Sequence, residues 1–102
     1  MSKTGRGYSS VPESVRRYKA MRKAGEHFYL DLSEYEEIIE YFLERGLIKA
    51  AEEALSHARK TFPKAEKVRL KEAQVLTGKE DYHSAEKIMR ELYPTMKAEP
   101  EF

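Results

Sequence analysis

The sequence predicts an all-α protein of about five helices, arranged as antiparallel helical hairpins. Three observations predict this class. Apolar residues recur at helical spacing in several segments, glycine or proline closes most of these segments, and the apolar pattern of one hairpin returns 34 residues later. Because these signals agree along most of the chain, we expect one small helical domain.

Composition limits the covalent links, metal sites and cellular locations open to this domain. Of the 102 residues, 40% are hydrophobic, 36% are charged and none is cysteine, so the chain has neither disulfides nor thiolate zinc sites. No apolar run is long enough for a membrane span, and the N-terminus carries no apolar signal segment. We therefore expect a cytoplasmic protein with no membrane association.

The N-terminal quarter of the chain is basic. Residues 1–10 are polar, include two glycines and are expected to form a disordered basic arm. Ser10 and Glu13 have the spacing of a capping box, with Pro12 in the first turn, and Gly25 is a left-handed stop. A helix over residues 11–25 is therefore predicted, with one apolar stripe made of Val11, Val15, Tyr18 and Met21.

An apolar connector, residues 27–32, leads to the strongest helical pattern. The four large apolar side chains of the connector (Phe28, Tyr29, Leu30 and Leu32) are expected to dock on the core. Ser33 and Glu36 have capping-box spacing, and Gly46 ends the pattern, which predicts a helix over residues 34–45. Its stripe consists of Tyr35, Ile38, Ile39, Phe42 and Leu43.

Three further helices are predicted, over residues 48–61, 65–77 and 82–93. Pro63, Gly78 and Pro94 mark their ends, and Asp81 is placed to cap the last one. Residues 95–102 are expected to be a frayed tail. The residues expected to face inward are Ile48, Ala51, Ala54, Leu55, Ala58, Phe62, Val68, Ala73, Leu76, Tyr82, Ala85, Ile88, Met89 and Leu92.

The 34-residue offset aligns core positions of like kind. Ile48 aligns with Tyr82, and Ala51 aligns with Ala85. The other aligned pairs are Leu55 with Met89, Ala58 with Leu92, Phe42 with Leu76, and Ile39 with Ala73. Helix–turn–helix units at this period are typical of tetratricopeptide repeats (TPR).

The chain accordingly resembles the TPR family, and in particular the N-terminal repeats of long bacterial TPR proteins. The first repeat, residues 32–65, has Tyr35, Ile38, Phe42, Gly46, Ile48, Ala51, Leu55, Ala58 and Pro63 at the family's signature places. The resemblance implies a short right-handed solenoid of stacked hairpins.

Two segments depart from the family pattern. The second repeat, residues 66–94, has Arg69 where a large apolar residue is usual and Lys97 where the closing proline would fall. In residues 11–25, Arg17 lies 34 residues before Ala51, at a position where the repeat pattern has a small residue. We interpret this segment as a helix that caps the first repeat, so that the whole domain spans residues 11–94.

The resemblance implies a non-catalytic scaffold that binds a peptide segment or a partner helix in a groove, without a cofactor. The implied polar groove residues are Glu36, Glu37, Glu40, Glu44, Lys67, Lys71 and Gln74, beside Ser33, Leu43 and Leu70. This groove would be acidic at one end and basic at the other. Ordinary solvated helix faces would give the same pattern, so that alternative stays open.

Other functions have less support in the sequence. Residues 1–25 carry seven Lys or Arg against one acid, which suggests nucleic-acid binding as the alternative, but residues 26–55 carry nine acids that can neutralise them. Glu53 and His57 are only two potential metal ligands, and no catalytic motif occurs, so we expect neither a metal site nor an enzyme. Self-association through an uncovered helix 82–93 is a further possibility.

Overall fold

A computed structural model of the protein describes residues 11–26 and 29–94, and that part of the chain contains helices and turns but no strand. The helices are α1 (Glu13–Ala24), α2 (Leu32–Glu44), α3 (Ile48–Thr61), α4 (Glu66–Gly78) and α5 (Tyr82–Leu92). The all-α class is confirmed, as are five helices near the predicted positions. The predicted disordered arm (1–10) and frayed tail (95–102) lie outside the described residues.

The helices pack mainly against their neighbours along the chain. The contacting pairs are α1 with α2, α2 with α3, α3 with α4, and α4 with α5, and in addition α2 lies against α4. The Tyr35 ring, at the start of α2, lies 6.3 Å from the Phe62 ring just after α3, so these two helices are antiparallel. Arg69 near the start of α4 pairs with Glu91 near the end of α5, which makes the second pair antiparallel as well.

The start of α1 differs from the prediction. The helix begins at Glu13, and Pro12 is its N-cap residue, with φ −59° and ψ 149° and no side-chain cap, rather than a residue of the first turn. Ser10, the predicted cap, lies outside the described residues. At the other end the prediction is confirmed, because Gly25 has φ 70° and closes the helix in the left-handed conformation.

The capping box of α2 was predicted two residues too late. Asp31 is the cap, because its carboxylate accepts from the Glu34 backbone N–H at 2.9 Å while the Glu34 carboxylate accepts from the Asp31 N–H at 3.0 Å. The Ser33 hydroxyl, predicted to cap, instead donates to Asp31 at 3.0 Å. An N-terminal Asp-x-x-Glu pair satisfies the same free N–H groups as Ser-x-x-Glu, and here it moves the helix start to Leu32.

The core lies between the helices and follows the predicted stripes closely. Its most enclosed side chains include Val15, Leu30, Ile38, Ile39 and Val75. Three of the four alanines of α3, Ala51, Ala54 and Ala58, are fully buried where that helix packs against its neighbours. Small residues at these points allow helix axes to approach closely.

Four side chains depart from the predicted burial. Tyr82 was expected inside and is 61% exposed, and Tyr29 of the connector is 69% exposed although Leu30 beside it is buried. Val75 and the charged Lys71 are buried, and neither was predicted. Val75 and Lys71 are buried because α4 has neighbours on two sides, α2 with α3 on one and α5 on the other, so a single apolar stripe does not describe this helix.

No helix among the described residues is both long enough and apolar enough to cross a membrane.

Candidate binding surface

The predicted groove residues lie on α2 and α4, which run side by side. The Lys71 ammonium is 3.5 Å from the Glu40 carboxylate, and this ion pair joins the two helices. The side chain of Lys71 is only 10% exposed, whereas that of Glu40 is 59% exposed. Two of the seven predicted residues are thus brought together, and they neutralise each other.

Two other groove residues face elsewhere. The Glu37 carboxylate accepts a 2.7 Å hydrogen bond from the Ser14 hydroxyl, so it fastens α1 to α2. Gln74 lies at an open groove between α4 and α5. Neither side chain is therefore confined to the surface that α2 and α4 share.

The remaining three predicted residues lie four positions from Glu40 or Lys71, a spacing that puts them on the same helix faces as that ion pair. Glu36 is half-buried, and Glu44 and Lys67 are exposed. Among these three residues the accessible charge is therefore acidic on α2 and basic on α4. We call Glu36, Glu44 and Lys67, with the Glu40–Lys71 pair, the α2–α4 surface.

A second surface involves α5, the helix for which the sequence suggested self-association. It is an open groove of about 380 Å³ between α4 and α5, here called the α4–α5 face. It is lined by Leu70, Ala73, Gln74, Thr77, Tyr82, Ala85, Glu86 and Met89. The alignment of Tyr82 with Ile48 relates this groove to the first hairpin, because α4 lies over Ile48, whereas no helix among the described residues covers Tyr82.

The basic residues of α1 are largely paired with acids. Arg17 pairs with Glu34 of α2 and also donates to the Tyr29 carbonyl at 3.1 Å. Arg22 pairs with Glu53 of α3 at 3.0 Å. Acids of residues 26–55 thus neutralise Arg17 and Arg22, as the sequence suggested, and these pairs lower the positive charge available to a nucleic acid.

The Glu53–His57 pair forms part of a small network with α1. Arg22 lies 3.0 Å from the Glu53 carboxylate and 3.1 Å from His57 Nε2. The Tyr18 ring packs edge-on against His57, with ring centroids 6.0 Å apart, and burial raises the pKa of Tyr18 to about 12. The guanidinium occupies the place that a metal cation would need, and the described part of the chain holds no cluster of three or more potential metal ligands.

A third opening, of about 550 Å³, lies between α3 and α4 and is lined by charged side chains. Glu72 is central to it, with Arg59 at 3.7 Å and Arg69 at 2.8 Å. Arg69 also bonds Glu91, and these two carboxylates raise the pKa of its guanidinium. The Arg69 guanidinium therefore ties α4 to α5 by ion pairs.

Comparison with protein-family models, with curated proteins and with solved structures finds no match for this chain.

Proposed function

We propose that this protein is a non-catalytic binding module of the TPR type, in which stacked hairpins present a rigid surface to a segment of another protein. The packing order supports this reading, since the first helices of the two hairpins, α2 and α4, lie side by side, while α3 lies against both of them and α5 lies against α4. In such arrays each repeat contacts only its neighbours, and the aligned first helices form the binding surface.

The observation that carries the proposal is the placement of unlike charges on neighbouring helices. The Glu40–Lys71 pair holds α2 against α4 and leaves Glu36 and Glu44 on one helix and Lys67 on the other. A partner segment with a basic end and an acidic end matches this surface. Charge match of this kind selects the orientation of a partner more than it sets affinity.

Nucleic-acid binding by α1 is the less favoured function. Arg16, Arg17 and Arg22 each contact a carboxylate of this chain, and Lys19 lies 5.9 Å above the Tyr41 ring. These contacts account for most of the basic charge of α1 within the fold itself. We therefore expect no shift of an oligonucleotide on a gel, even at low salt.

The test is affinity capture with the full chain, repeated with a double variant, Glu36→Lys with Glu44→Lys. These two acids have no ion pair with the described residues, so their reversal changes the α2–α4 surface without breaking the fold. The matched control is Glu26→Lys with Glu80→Lys, which adds the same charge at exposed positions outside this surface.

We expect a partner that the wild type and the control capture and the double variant loses. Capture of the same partners by all three proteins would refute binding at the α2–α4 surface. Capture by none of them, from several sources, would refute the scaffold function itself.

A further inference from the structure

In the first hairpin, one face of α2 and α3 is covered by a third helix. The α4 helix lies on that face, with Lys79 Nζ 2.5 Å from the Glu52 carboxylate and Lys71 Nζ 3.5 Å from that of Glu40. Gly78 is pressed against the face, because a Cβ at this position would lie 2.9 Å from Ile48 Cδ1. The helix that packs on this face therefore supplies two basic groups, Lys71 and Lys79, and a small residue, Gly78, at the point of closest approach.

The α4–α5 face is the same surface displaced by 34 residues. Tyr82, Ala85 and Met89 stand where Ile48, Ala51 and Leu55 stand in the first hairpin. Glu86 stands where Glu52 stands, and Gln74 where Glu40 stands. All five of these residues of the second hairpin line the open groove, so the correspondence covers five of its eight lining residues and not one contact.

Residues at equivalent positions of the two hairpins are more exposed in the second, which has no described helix over this face. Ile48 is half-buried under α4, whereas its counterpart Tyr82 is 61% exposed. Leu55 is 5% exposed, whereas its counterpart Met89 is only half-buried. An apolar groove of this kind, rimmed by polar groups, is typical of a docking site for an amphipathic helix.

We propose that the α4–α5 face binds, in trans, a helix of a partner protein whose contact residues have the same chemistry as those of α4. At the positions equivalent to Val68 and Val75 the bound helix has apolar residues. It has a small residue at the position equivalent to Gly78 and a basic residue at the position equivalent to Lys79. The basic group pairs with Glu86 as Lys79 pairs with Glu52. At the place of Lys71 a polar residue suffices, because Gln74 carries no charge.

Two features of the second face set the expected selectivity. The Glu86 carboxylate already accepts from Arg90 at 2.8 Å, but both side chains are more than half exposed, so an incoming cation can share that carboxylate. Tyr82 is bulkier than Ile48 but is 61% exposed, so a small residue beside it is favoured without being strictly required. The site is separate from the α2–α4 surface and does not rest on the function proposed for it.

The probe is a peptide with the sequence of residues 65–80, held helical by a staple through its positions 70 and 74, titrated into the full chain and followed by NMR. We expect saturable shifts that map to Leu70, Tyr82 and Met89. Tyr82→Lys weakens binding by about fivefold or more, because an exposed aromatic anchor is lost. The matched control, Tyr29→Lys, changes another exposed tyrosine and leaves the affinity unchanged.

A charge swap tests the central contact. Glu86→Lys weakens binding of the unmodified peptide, and a peptide with Lys79→Glu restores it on that variant while binding the wild type poorly. The variant of the α2–α4 surface, Glu36→Lys with Glu44→Lys, binds the peptide normally. Loss of peptide binding at the α4–α5 face is therefore distinguishable from a failure of the proposed function. Circular dichroism of each variant confirms that the fold is kept.

Three outcomes would overturn the proposal. The first is the absence of saturable shifts at millimolar peptide. The second is shifts confined to α2 and α3, which would mean that the peptide exchanges with α4. The third is a dimer in sedimentation that Tyr82→Lys dissociates, which would make a second copy of this chain the occupant.

Discussion

Lys71 and Glu40 form an unequal ion pair between α4 and α2, with 3.5 Å between the ammonium and the carboxylate. The lysine side chain is 10% exposed and the glutamate side chain 59% exposed. The lysine stem therefore fills space in the interface, while the glutamate stays hydrated and supplies charge from the edge. This gives the buried methylenes a larger part in stability than the charge pair.

Lys71 variants separate these two contributions. We expect Lys71→Met to change the free energy of unfolding by less than about 1 kcal/mol, because a buried ion pair is often replaceable by an apolar side chain. Lys71→Ala should cost about 2 kcal/mol, since it removes the buried stem. Urea unfolding measures both, with exposed Lys67→Ala as the control. If Lys71→Met proves as damaging as Lys71→Ala, the charge pair is the dominant contribution.

The Asp31 cap makes α2 sensitive to acid. The backbone N–H of Glu34 and the Ser33 hydroxyl hold the pKa of Asp31 below its usual value. The stabilisation from Asp31 is therefore complete above the unfolded pKa of about 4 and is lost as pH falls through the lower folded pKa. We expect Asp31→Ala to lower the melting temperature at pH 7.

Asp31→Asn is the matched control for that prediction, because asparagine caps a helix without titrating. The melting temperature of the asparagine variant should fall less between pH 5 and pH 2 than that of the wild type. Identical acid sensitivity of the two proteins would show that Asp31 has no shifted pKa.

Ala51 and Ala85 are equivalent positions with unequal surroundings. Ala51 is fully buried, whereas Ala85 lines the open groove between α4 and α5. Overpacking a filled core costs about 1–3 kcal/mol, and we expect that loss for Ala51→Leu. Ala85→Leu should cost clearly less, since its added atoms can enter the groove. Equal losses in thermal unfolding would mean that the groove closes in solution.

The hydroxyl of Tyr18 is buried and has no hydrogen-bond partner among the described residues. An unsatisfied buried polar group costs about 1–3 kcal/mol. Tyr18→Phe keeps the edge-on contact with Phe42 and should raise stability by about 1 kcal/mol. Denaturant unfolding tests this, and a loss of stability would indicate a bound water or another partner for the hydroxyl.

Most of the fold was predictable because local signals and packing agree. Ile48–Thr61 was predicted at its observed bounds, since the apolar stripe, the short preceding turn at Gly46 and the closing Pro63 point to the same helix. The cap of α2 was misplaced because two overlapping candidates, Asp31 with Glu34 and Ser33 with Glu36, have the same spacing. Sequence spacing alone does not rank them.

The candidate surfaces were less predictable because they depend on what lies next to each helix. Lys71 was expected to be accessible. Its aliphatic stem is enclosed instead, because α4 lies between α2 and α5. Tyr82 was expected inside because its counterpart Ile48 is, but the cover over Ile48 comes from α4, and no described helix plays that part for Tyr82. Both errors concern tertiary neighbours and not helical periodicity.

Hydrogen–deuterium exchange of the complex with a captured partner tests the central claim most directly. The account predicts slower exchange in α2 and α4, which carry the α2–α4 surface, and unchanged exchange in α1 and α3. Slower exchange confined to α1 and α3 would contradict binding at the α2–α4 surface.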